Sequence, residues 1–288
     1  MENSVRAYKQ KLSETLKAFD KFCNENNIKY YTAGGSLIGA VRHKGQIPWD
    51  DDIDVWMLPE DYDRFCSFRG KVKGHYDIMT EEDENYWLRL LVKFVDTDTT
   101  LWEVEEYPCI TGVYIDIFPL YECRAEEALN QKATFDKYLS FFRHSLKRYS
   151  IRKVLSSIYH GQFRLFIEIT KDVFYYRPMH PFYQRRYDRF LREIKNDKGD
   201  KFVSYAGDYG AREIFDKNLF IDTVRLPFED MDISAPAEYH RLLTQLYGDY
   251  MQLPPKEKRI SNHPHYFMDV EKRWSKKEIK KYKRRHKN

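Results

Sequence analysis

The sequence predicts a mixed α/β protein in which a core with a mixed β-sheet is followed by a mainly helical C-terminal half. Two observations lead to this prediction. Short apolar segments with strand-like alternation follow one amphipathic helix in the first half, whereas helical spacing dominates from Arg124 onward. We expect an α/β core with its N-terminal helix over residues 1–123, a helical and extended elaboration packed on it over 124–275, and a basic tail over 276–288.

The first half contains the elements of the expected sheet. Apolar residues recur at steps of three and four over residues 4–26, and Ser4 is a suitable N-cap, so an amphipathic helix is predicted here. Pro59 can start a later helix at its first position. The further elements expected are a strand at 28–32, a helix at 36–42, an acidic strand through Asp52 and Asp54, a helix at 59–68, and strands at 88–96 and 112–118.

The second half is predicted to be mostly helical, with helices over 126–148, 151–175 and 181–194. Residues 219–233 have the character of an extended pair, with Pro227 at a turn or an edge. A last helix over 237–247 is expected to stop at Gly248. No internal repeat and no long flexible linker interrupts this order.

Composition excludes several classes of protein. The mean hydropathy of −0.74 and the lack of an apolar run of about 18 residues argue against an integral membrane protein. The N-terminal residues lack the apolar core of a signal peptide. The four cysteines show no CxxC spacing, which argues against a zinc site or a disulfide framework. A cytoplasmic location is therefore the expectation.

Charge is distributed unevenly behind a net charge of +4. Residues 50–123 carry 19 acids against 6 Lys or Arg, residues 124–195 carry 16 basic residues against 7 acids, and residues 276–288 carry eight Lys or Arg and one Glu. Such a basic tail attracts anionic surfaces. We expect it to hold the protein at the inner face of a membrane, with Trp274 and Ile279 as interfacial contacts; the alternative is a solvated helix end. No nucleic acid partner is expected.

The most informative segment is residues 32–57, where a Gly34-Gly35-Ser36 turn precedes an acidic run from Asp50 to Asp52 and then Asp54. Asp52 and Asp54 flank Ile53, so in a strand both carboxylates point to one face. Two hard oxygen ligands on a rigid strand suit Mg²⁺ that takes further ligands from phosphate oxygens. An EF-hand loop is excluded, because its glycine and glutamate positions hold Val55 and Asp61.

Phosphate-binding groups are expected around the same segment. Backbone N–H groups of Gly34, Gly35 and Ser36 at a helix N-terminus attract phosphate. The side chains expected to neutralise phosphate charge are Arg42, His43, Lys44 and, on a later strand, Lys93. For Lys93 a solvent-facing position is the alternative.

With these motifs the chain resembles the LicD family of phosphocholine transferases, within the nucleotidyltransferase-fold superfamily that also holds fukutin-type phosphoribitol transferases. The resemblance rests on Gly35-Ser36, on Asp52 and Asp54, and on Asp116 in VYIDIFPLY, where residues 113–118 alternate like a strand with one buried face. It touches residues 15–259, including a closing segment at 246–259. Family members often carry an acid where this chain has Tyr121.

The resemblance implies a nucleotidyltransferase-like catalytic core and a CDP-alcohol donor such as CDP-choline. A hydroxyl of a cell-surface glycan or a teichoic-acid-type precursor, on a lipid-linked acceptor, would attack phosphorus and release CMP. Asp52, Asp54 and Asp116 would hold Mg²⁺ or Mn²⁺, with two ions about 3.5–4 Å apart, and Asp116 would also accept the proton of the hydroxyl. Candidates for an aromatic cage around choline are Trp56, Trp87, Trp102 and Tyr107, for each of which plain core packing is the alternative.

Three other functions remain open from the sequence. A glycosyltransferase uses a DxD motif to hold a nucleotide-sugar, although its DxD usually follows a longer nucleotide-binding half. A true nucleotidyltransferase would place a nucleotide from an NTP on its acceptor. A non-catalytic assembly factor at the membrane surface would use the fold only for binding, and the intact Asp52, Asp54 and Asp116 argue against it.

Overall fold

The computed structural model describes residues 2–84, 86–261 and 265–286. The helices are α1 (Glu2–Glu25), α2 (Gly34–Ile38), α3 (Pro59–Cys66), α4 (Ala125–Leu146), α5 (Ile151–Tyr159), α6 (Phe163–Lys171), α7 (Arg177–Asn196), α8 (Tyr239–Tyr247) and α9 (Lys276–Arg285). The strands are β1 (Tyr31–Thr32), β2 (Asp54–Met57), β3 (Tyr76–Met79), β4 (Val92–Asp96), β5 (Thr100–Trp102), β6 (Tyr114–Pro119), β7 (Tyr121–Cys123), β8 (Lys201–Val203), β9 (Ile214–Asp216), β10 (Thr223–Phe228), β11 (Met231–Pro236) and β12 (Phe267–Asp269).

The predicted mixed α/β class is confirmed. The central sheet has five strands in the order β1-β2-β6-β4-β3, in which β2 and β6 run parallel and the other neighbours are antiparallel. Helix α1 covers one face and buries Leu12, Leu16 and Phe19 completely or nearly so. The helix predicted for residues 4–26 is therefore confirmed, and its apolar stripe supplies one side of the main core.

Strand β6 differs from its prediction as a strand with one buried face. Both Tyr114 and Asp116 are buried, as are Ile115 and Ile117 on the opposite face. The reason is its central position between β2 and β4, where one face meets α1 and the other faces the interior of a cavity. Alternation of polar and apolar residues thus indicates a functional interior here and not contact with bulk water.

Helices α4 and α7 form the centre of the second half and bury Phe135, Phe142 and Tyr187 between them. The single helix predicted for 151–175 is wrong. The chain forms α5 and α6 with a turn at Gly161, whose φ of +63° is a left-handed conformation that ends the first helix. A π-helical turn, Asp172–Tyr176, then leads into α7, which contains Pro181.

Elements from the last third of the chain pack and pair with elements of the first half. β10 and β11 form a two-stranded hairpin that includes Pro227, in agreement with the predicted extended pair and its edge position. Helix α8 ends at Gly248, whose φ is +71°. Strand β12 pairs with β5, and β7 pairs with β8, so the regions predicted as 1–123 and 124–275 share small sheets. The division into these regions stays a prediction.

The basic tail is described as far as residue 286, and its remaining residues lie outside the described ones. Ser275 caps α9 in a capping box with Glu278. Ile279 is fully buried against the protein, so the prediction of an interfacial contact by this residue is wrong. Among the helices of the described ranges, none is both long and apolar enough to cross a membrane.

Candidate active site

Three charged residues form one row across the centre of the sheet. In the parallel pair β2–β6, Asp54 lies opposite Asp116, and in the antiparallel pair β6–β4, Asp116 lies opposite Lys93. Residues in register on neighbouring strands project to the same face. The pairing therefore assembles two carboxylates and one ammonium from segments that are far apart in the sequence.

Lys93 is a buried partner of Asp116. Its Nζ lies 2.8 Å from Oδ1 of Asp116 and 3.2 Å from the centre of the Tyr114 ring, and only 1% of the residue is exposed. The hydroxyl of Tyr114 donates to Glu103 at 2.6 Å. The alternative of a solvent-facing lysine is therefore wrong, and the ammonium is held in place by a carboxylate and an aromatic face.

Asp54 carries the clearest electrostatic perturbation in the row. Burial raises the pKa of its carboxyl well above the ordinary value, and the negative charges of Asp52, Asp116 and Asp50 raise the pKa further. The ammonium of Lys93 lowers this pKa in part. Ionised carboxylates gathered in this way favour a bound cation, because a cation offsets their mutual repulsion.

The glycine turn shapes the approach to these carboxylates. The N–H of Ala33 donates to the carbonyl of Asp54, and the N–H of Asp54 donates to Oγ of Ser36, both at 2.9 Å. Gly34 has a φ of +51°, and a Cβ atom there would lie 3.3 Å from Oδ2 of Asp54. At Gly35 a Cβ atom would lie 2.7 Å from Oδ2 of Asp50. Glycine therefore lets two carboxylates lie against the backbone.

The acidic run brings its own oxygen cluster. One carboxylate oxygen from each of Asp50, Asp51 and Asp52 lies within 4.8 Å of the others, all in half-buried positions. Oδ2 of Asp51 accepts from the hydroxyl of Ser261 at 2.6 Å and lies 3.7 Å from Nε2 of His265. The chain after α8 thus reaches the acidic run, through a contact between residues 210 positions apart in the sequence.

The basic residues after the turn occupy a different place. Arg42 donates to the carbonyls of Tyr250 and Gln252 at 2.6 and 3.1 Å, and His43 packs edge-on against Trp49. Lys44 is exposed with a φ of +60°. None of Arg42, His43 and Lys44 lines the cavity described next. Their phosphate-binding role stays a prediction.

A cavity of about 420 Å³ opens over the row of charged residues. It receives Gly34 and Gly35 from the turn, whereas Ser36 is buried behind them. Its described lining is strongly acidic, with seven carboxylates and two cations. The carboxylates are Asp50, Asp52, Asp54, Glu103, Asp116, Asp208 and Glu213, and the cations are Lys93 and Arg143. The cavity therefore favours ligands that bring positive charge with them.

Glu213 is a cavity residue that the sequence pattern did not indicate. It is 4% exposed, burial raises the pKa of its carboxyl to about 7, and the N–H of Tyr209 donates to it at 2.8 Å. Its carboxylate lies so close to Gly207 that a Cβ atom at residue 207 would overlap it. No sequence motif predicted Glu213 as a site residue, because the segment before β9 reaches the cavity only through tertiary packing.

The aromatic residues predicted for a cage separate into two groups. Trp56 and Trp87 line the cavity, whereas Trp102 and Tyr107 do not. Tyr107 instead stacks on Trp87 with ring centroids 4.6 Å apart. Two further rings missed by the sequence, Tyr209 and Tyr247, line the wall beside Glu213 and meet edge to face at 4.9 Å. Of these two rings, only Tyr247 lies in a segment that the sequence analysis singled out, residues 246–259.

Comparison with known proteins gives one family model and several relatives. A family model described as "LicD/FKTN/FKRP, nucleotidyltransferase domain" matches residues 27–156. The lipopolysaccharide cholinephosphotransferase LicD of Haemophilus influenzae is 28% identical over 261 residues, which cover 86% of this chain and 91% of that protein. An uncharacterised protein of Rickettsia prowazekii is 26% identical over 142 residues, which cover 49% of this chain and 45% of that protein.

The human ribitol 5-phosphate transferase FKRP is 30% identical over 110 residues, or 38% of this chain and 20% of that protein. The matched family segment contains the glycine turn, the acidic strand β2, Lys93 and Asp116. Residues 27–156 therefore match the nucleotidyltransferase domain of the LicD family, and the family resemblance predicted from the sequence is confirmed.

Proposed function

We propose that the protein transfers a phospho-alcohol, of the phosphocholine type, from a CDP-alcohol donor to a hydroxyl of a cell-surface glycan or teichoic-acid-type precursor. The row formed by Asp54, Asp116 and Lys93 at the floor of an acidic cavity is the observation that carries this proposal. The similarity to a cholinephosphotransferase over most of both chains, and to a ribitol 5-phosphate transferase over a shorter segment, supports it.

The donor set fits a hard divalent cation. Every candidate ligand at the floor is a carboxylate, and oxygen is the ligand that Mg²⁺ and Mn²⁺ prefer. Burial, and after it the negative charges of Asp52, Asp116 and Asp50, raises the pKa of Asp54, and a bound cation would favour its ionised form. Asp52, Asp54 and Asp116 would hold one or two such ions. When bound, the metal would neutralise phosphate oxygens and make the phosphorus more electrophilic.

The residues of the chain would then perform the remaining steps. The acceptor oxygen forms a bond to the phosphorus that bears the alcohol, and the bond from this phosphorus to the bridging oxygen breaks. CMP leaves with the bridging oxygen. Asp116 would accept the proton of the attacking hydroxyl, and Lys93, held at 2.8 Å from Asp116, would add positive charge near the phosphate. Positioning in the cavity would supply most of the rate.

One wall of the cavity suits a cationic alcohol. Tyr209 and Tyr247 present aromatic rings beside the buried carboxyl of Glu213. A quaternary ammonium group is attracted by aromatic faces and by carboxylates. Trp87 is less suited to a cage, because Tyr107 covers one ring face and the guanidinium of Arg143 lies 5.7 Å from its ring centre.

The proposal is tested by incubating the full-length protein with Mg²⁺ and a panel of CDP-alcohols, including CDP-choline and CDP-ribitol, and measuring CMP release. Each donor is also tested for protection against thermal unfolding. We expect CMP only with one class of donor, loss of activity in EDTA, and recovery with Mg²⁺ or Mn²⁺. Ca²⁺ should restore less, because it prefers more ligands at longer distances.

The other functions predict different products. Release of UDP or GDP from a nucleotide-sugar would indicate a glycosyltransferase, and an acceptor that gains the mass of a nucleotide would indicate a nucleotidyltransferase. Binding of a donor without turnover of any kind would favour a non-catalytic assembly factor. Full activity in the presence of chelator would contradict the metal-dependent mechanism. The cytoplasmic location and the attachment of the basic tail to an anionic membrane stay predictions.

A further inference from the structure

Helix α5 carries its apolar stripe on the outside of the protein. Ile151, Leu155, Ile158 and Tyr159 follow one another at helical spacing and are 79%, 61%, 53% and 86% exposed. Apolar residues at steps of four and three lie on one face of a helix. A helix that packs on a protein core normally buries this face, and here the face is open to the surroundings.

Helix α6 continues the same surface after the turn at Gly161. Phe163 and Ile167, four residues apart, are 71% and 53% exposed. Phe174, seven residues further on in the π-helical turn, is 77% exposed. We name residues 151–176 the outer hairpin. Its exposed aliphatic and aromatic side chains form a continuous apolar series of a kind that marks interaction sites.

The side of the outer hairpin that faces the protein combines one apolar residue, Ile169 at 4% exposure, with buried polar groups. Ser157 and Asp172 are buried, at 1% and 0% exposure. Asp172 accepts a hydrogen bond from the Tyr149 hydroxyl and lies 2.7 Å from Nδ1 of His144. Nζ of Lys147 donates to Glu168 at 2.6 Å. The outer hairpin therefore buries several hydrogen-bonded polar groups, while most of its large apolar side chains stay exposed.

Charge indicates which kind of partner meets this surface. Between residues 151 and 186, every exposed charged residue is basic. These residues are Arg152, Arg164, Lys171, Arg185 and Arg186. The acids of the same stretch are turned inward or partly covered. Two copies of the chain meeting through this face would bring like charges together. An anionic surface with an apolar interior complements both the charge and the exposed side chains.

We propose that the outer hairpin docks into the interfacial region of an anionic lipid bilayer. Amphipathic helices with aromatic and aliphatic residues on one side and basic residues beside them lie in the membrane plane and bury their apolar face at the acyl boundary. Tyr159 and Tyr175, both exposed, suit the headgroup level, where amphipathic rings are enriched. This surface is separate from the basic tail and does not depend on the proposed function.

The position of the outer hairpin gives the docking a consequence for the cavity. Nζ of Lys153 in α5 contacts Glu106, and the N–H of Arg148 donates to the carbonyl of Glu106 at 2.7 Å. Glu103, three residues before it, lines the cavity. The hairpin is thus tied to the loop that forms one wall of the cavity. Docking would bring this wall close to the bilayer, where a lipid-linked acceptor of the proposed function would reside; this consequence alone rests on the proposed function.

The test is co-sedimentation of the full-length protein with phosphatidylcholine vesicles that contain or lack phosphatidylglycerol. We expect binding to the anionic vesicles at about 0.1 M salt and much weaker binding at about 1 M, where screening is stronger. The double variant Leu155→Asp/Phe163→Asp should lower the partition coefficient by about tenfold or more, because two apolar side chains of the docking face become charged. The charge-reversal variant Arg152→Glu/Arg164→Glu should also weaken binding.

Two matched variants serve as controls. Ile221→Asp/Ile260→Asp changes apolar residues that are 68% and 60% exposed outside the outer hairpin, and Lys71→Glu/Lys73→Glu places the same charge reversal at exposed residues away from both the outer hairpin and the basic tail. Thermal unfolding confirms that each variant is folded. The proposal is overturned if the wild-type protein does not sediment with anionic vesicles, or if the control variants lose as much binding as the hairpin variants. It is also overturned if analytical ultracentrifugation shows a dimer that only Leu155→Asp/Phe163→Asp dissociates, without vesicle binding.

Discussion

Nζ of Lys93 lies 2.8 Å from Oδ1 of Asp116, and the two residues face each other in register on adjacent antiparallel strands at the centre of the sheet. Both are almost fully buried, with 1% and 7% exposure. The pair therefore brings an ammonium group to the floor of an otherwise acidic cavity. The same ion pair therefore contributes to the stability of the sheet and sets part of the charge of the candidate active site.

Replacing Lys93 with Met should destabilise the protein by about 3–5 kcal/mol, because it leaves the buried carboxylate of Asp116 without its cation. Urea unfolding in EDTA measures the change. The double variant Lys93→Met/Asp116→Asn should recover part of the loss, since it removes the unpaired charge. Lys17→Met, at an exposed pair with Asp230, is the matched control and should change little. If the single and double variants lost the same free energy of unfolding, the unpaired carboxylate of Asp116 would not be the cause of the destabilisation.

Asp52→Asn, Asp54→Asn and Asp116→Asn should each remove nearly all turnover while the fold is retained. The carboxylates line one cavity and have no neutral substitute as ligands of a divalent cation. CMP release is measured under donor saturation, with Asp63→Asn on the exposed side of α3 as control. A variant of the three that keeps more than about a tenth of the wild-type rate, a barrier change under about 1.4 kcal/mol, does not carry the proposed ligand role.

Asp54→Asn should raise the thermal stability of the metal-free protein. Because the folded-state pKa of Asp54 lies above its ordinary value, the native state keeps a proton that the unfolded state releases, and stability in EDTA falls as pH rises through that interval. The variant removes this loss. It should also lose the rise in Tm that Mg²⁺ causes in the wild type, where binding at a Mg²⁺ concentration of a hundred times Kd adds about 2.7 kcal/mol to the free energy of unfolding. Differential scanning calorimetry with and without Mg²⁺ decides; an unchanged Mg²⁺ effect in the variant would exclude Asp54 as a ligand.

Glu213→Gln should show a pH-dependent gain in stability. The pKa of Glu213 is about 7 in the folded state against 4.5 as its ordinary value, so the wild type loses stability as pH rises from 4.5 to 7 and no further above 7. The gain in the variant should be absent at pH 4 and reach at most about 3 kcal/mol at pH 8. Chemical unfolding across this range measures it, with the exposed Glu238→Gln as control. A gain that is the same at both ends of the range would show that burial of charge is not its cause.

Gly34→Ala should weaken metal binding beyond its cost in backbone strain. Both Gly34 and Gly70 have a left-handed backbone, with φ of +51° and +70°, so alanine at either position costs about 1–2 kcal/mol. Only at Gly34 does the new Cβ atom approach a carboxylate, Oδ2 of Asp54 at 3.3 Å, whereas nothing lies within 4 Å at Gly70. Titration of Mg²⁺ followed by Tm should therefore separate the two variants. If both variants shifted the Mg²⁺ concentration at half-saturation equally, the glycine turn would affect only the stability of the fold and not metal binding.

Local patterns in the sequence predicted the parts of the site that depend on neighbouring residues. The spacing of Asp52 and Asp54 on either side of Ile53 predicted that both carboxylates point to one side, and both line the cavity, although β2 begins at Asp54 and Asp52 lies just before it. The helical spacing of Leu12, Leu16 and Phe19 was enough to predict the face of α1 that is buried. The family resemblance added Asp116, and the matched family model supports that recognition.

Tertiary structure decided everything that depends on contacts between distant segments. The parallel pairing of β2 with β6 sets Asp54 opposite Asp116, and no local spacing specifies that register. Packing of the segment before β9 brings Glu213 to the cavity, and the pairing of β4 with β6 turns Lys93 inward. Periodicity also shows that residues 151–175 are amphipathic but not which face meets the protein. The physical reason is that a pattern along the chain fixes which side chains share a face, whereas burial, register and electrostatic environment arise only when separate segments pack together.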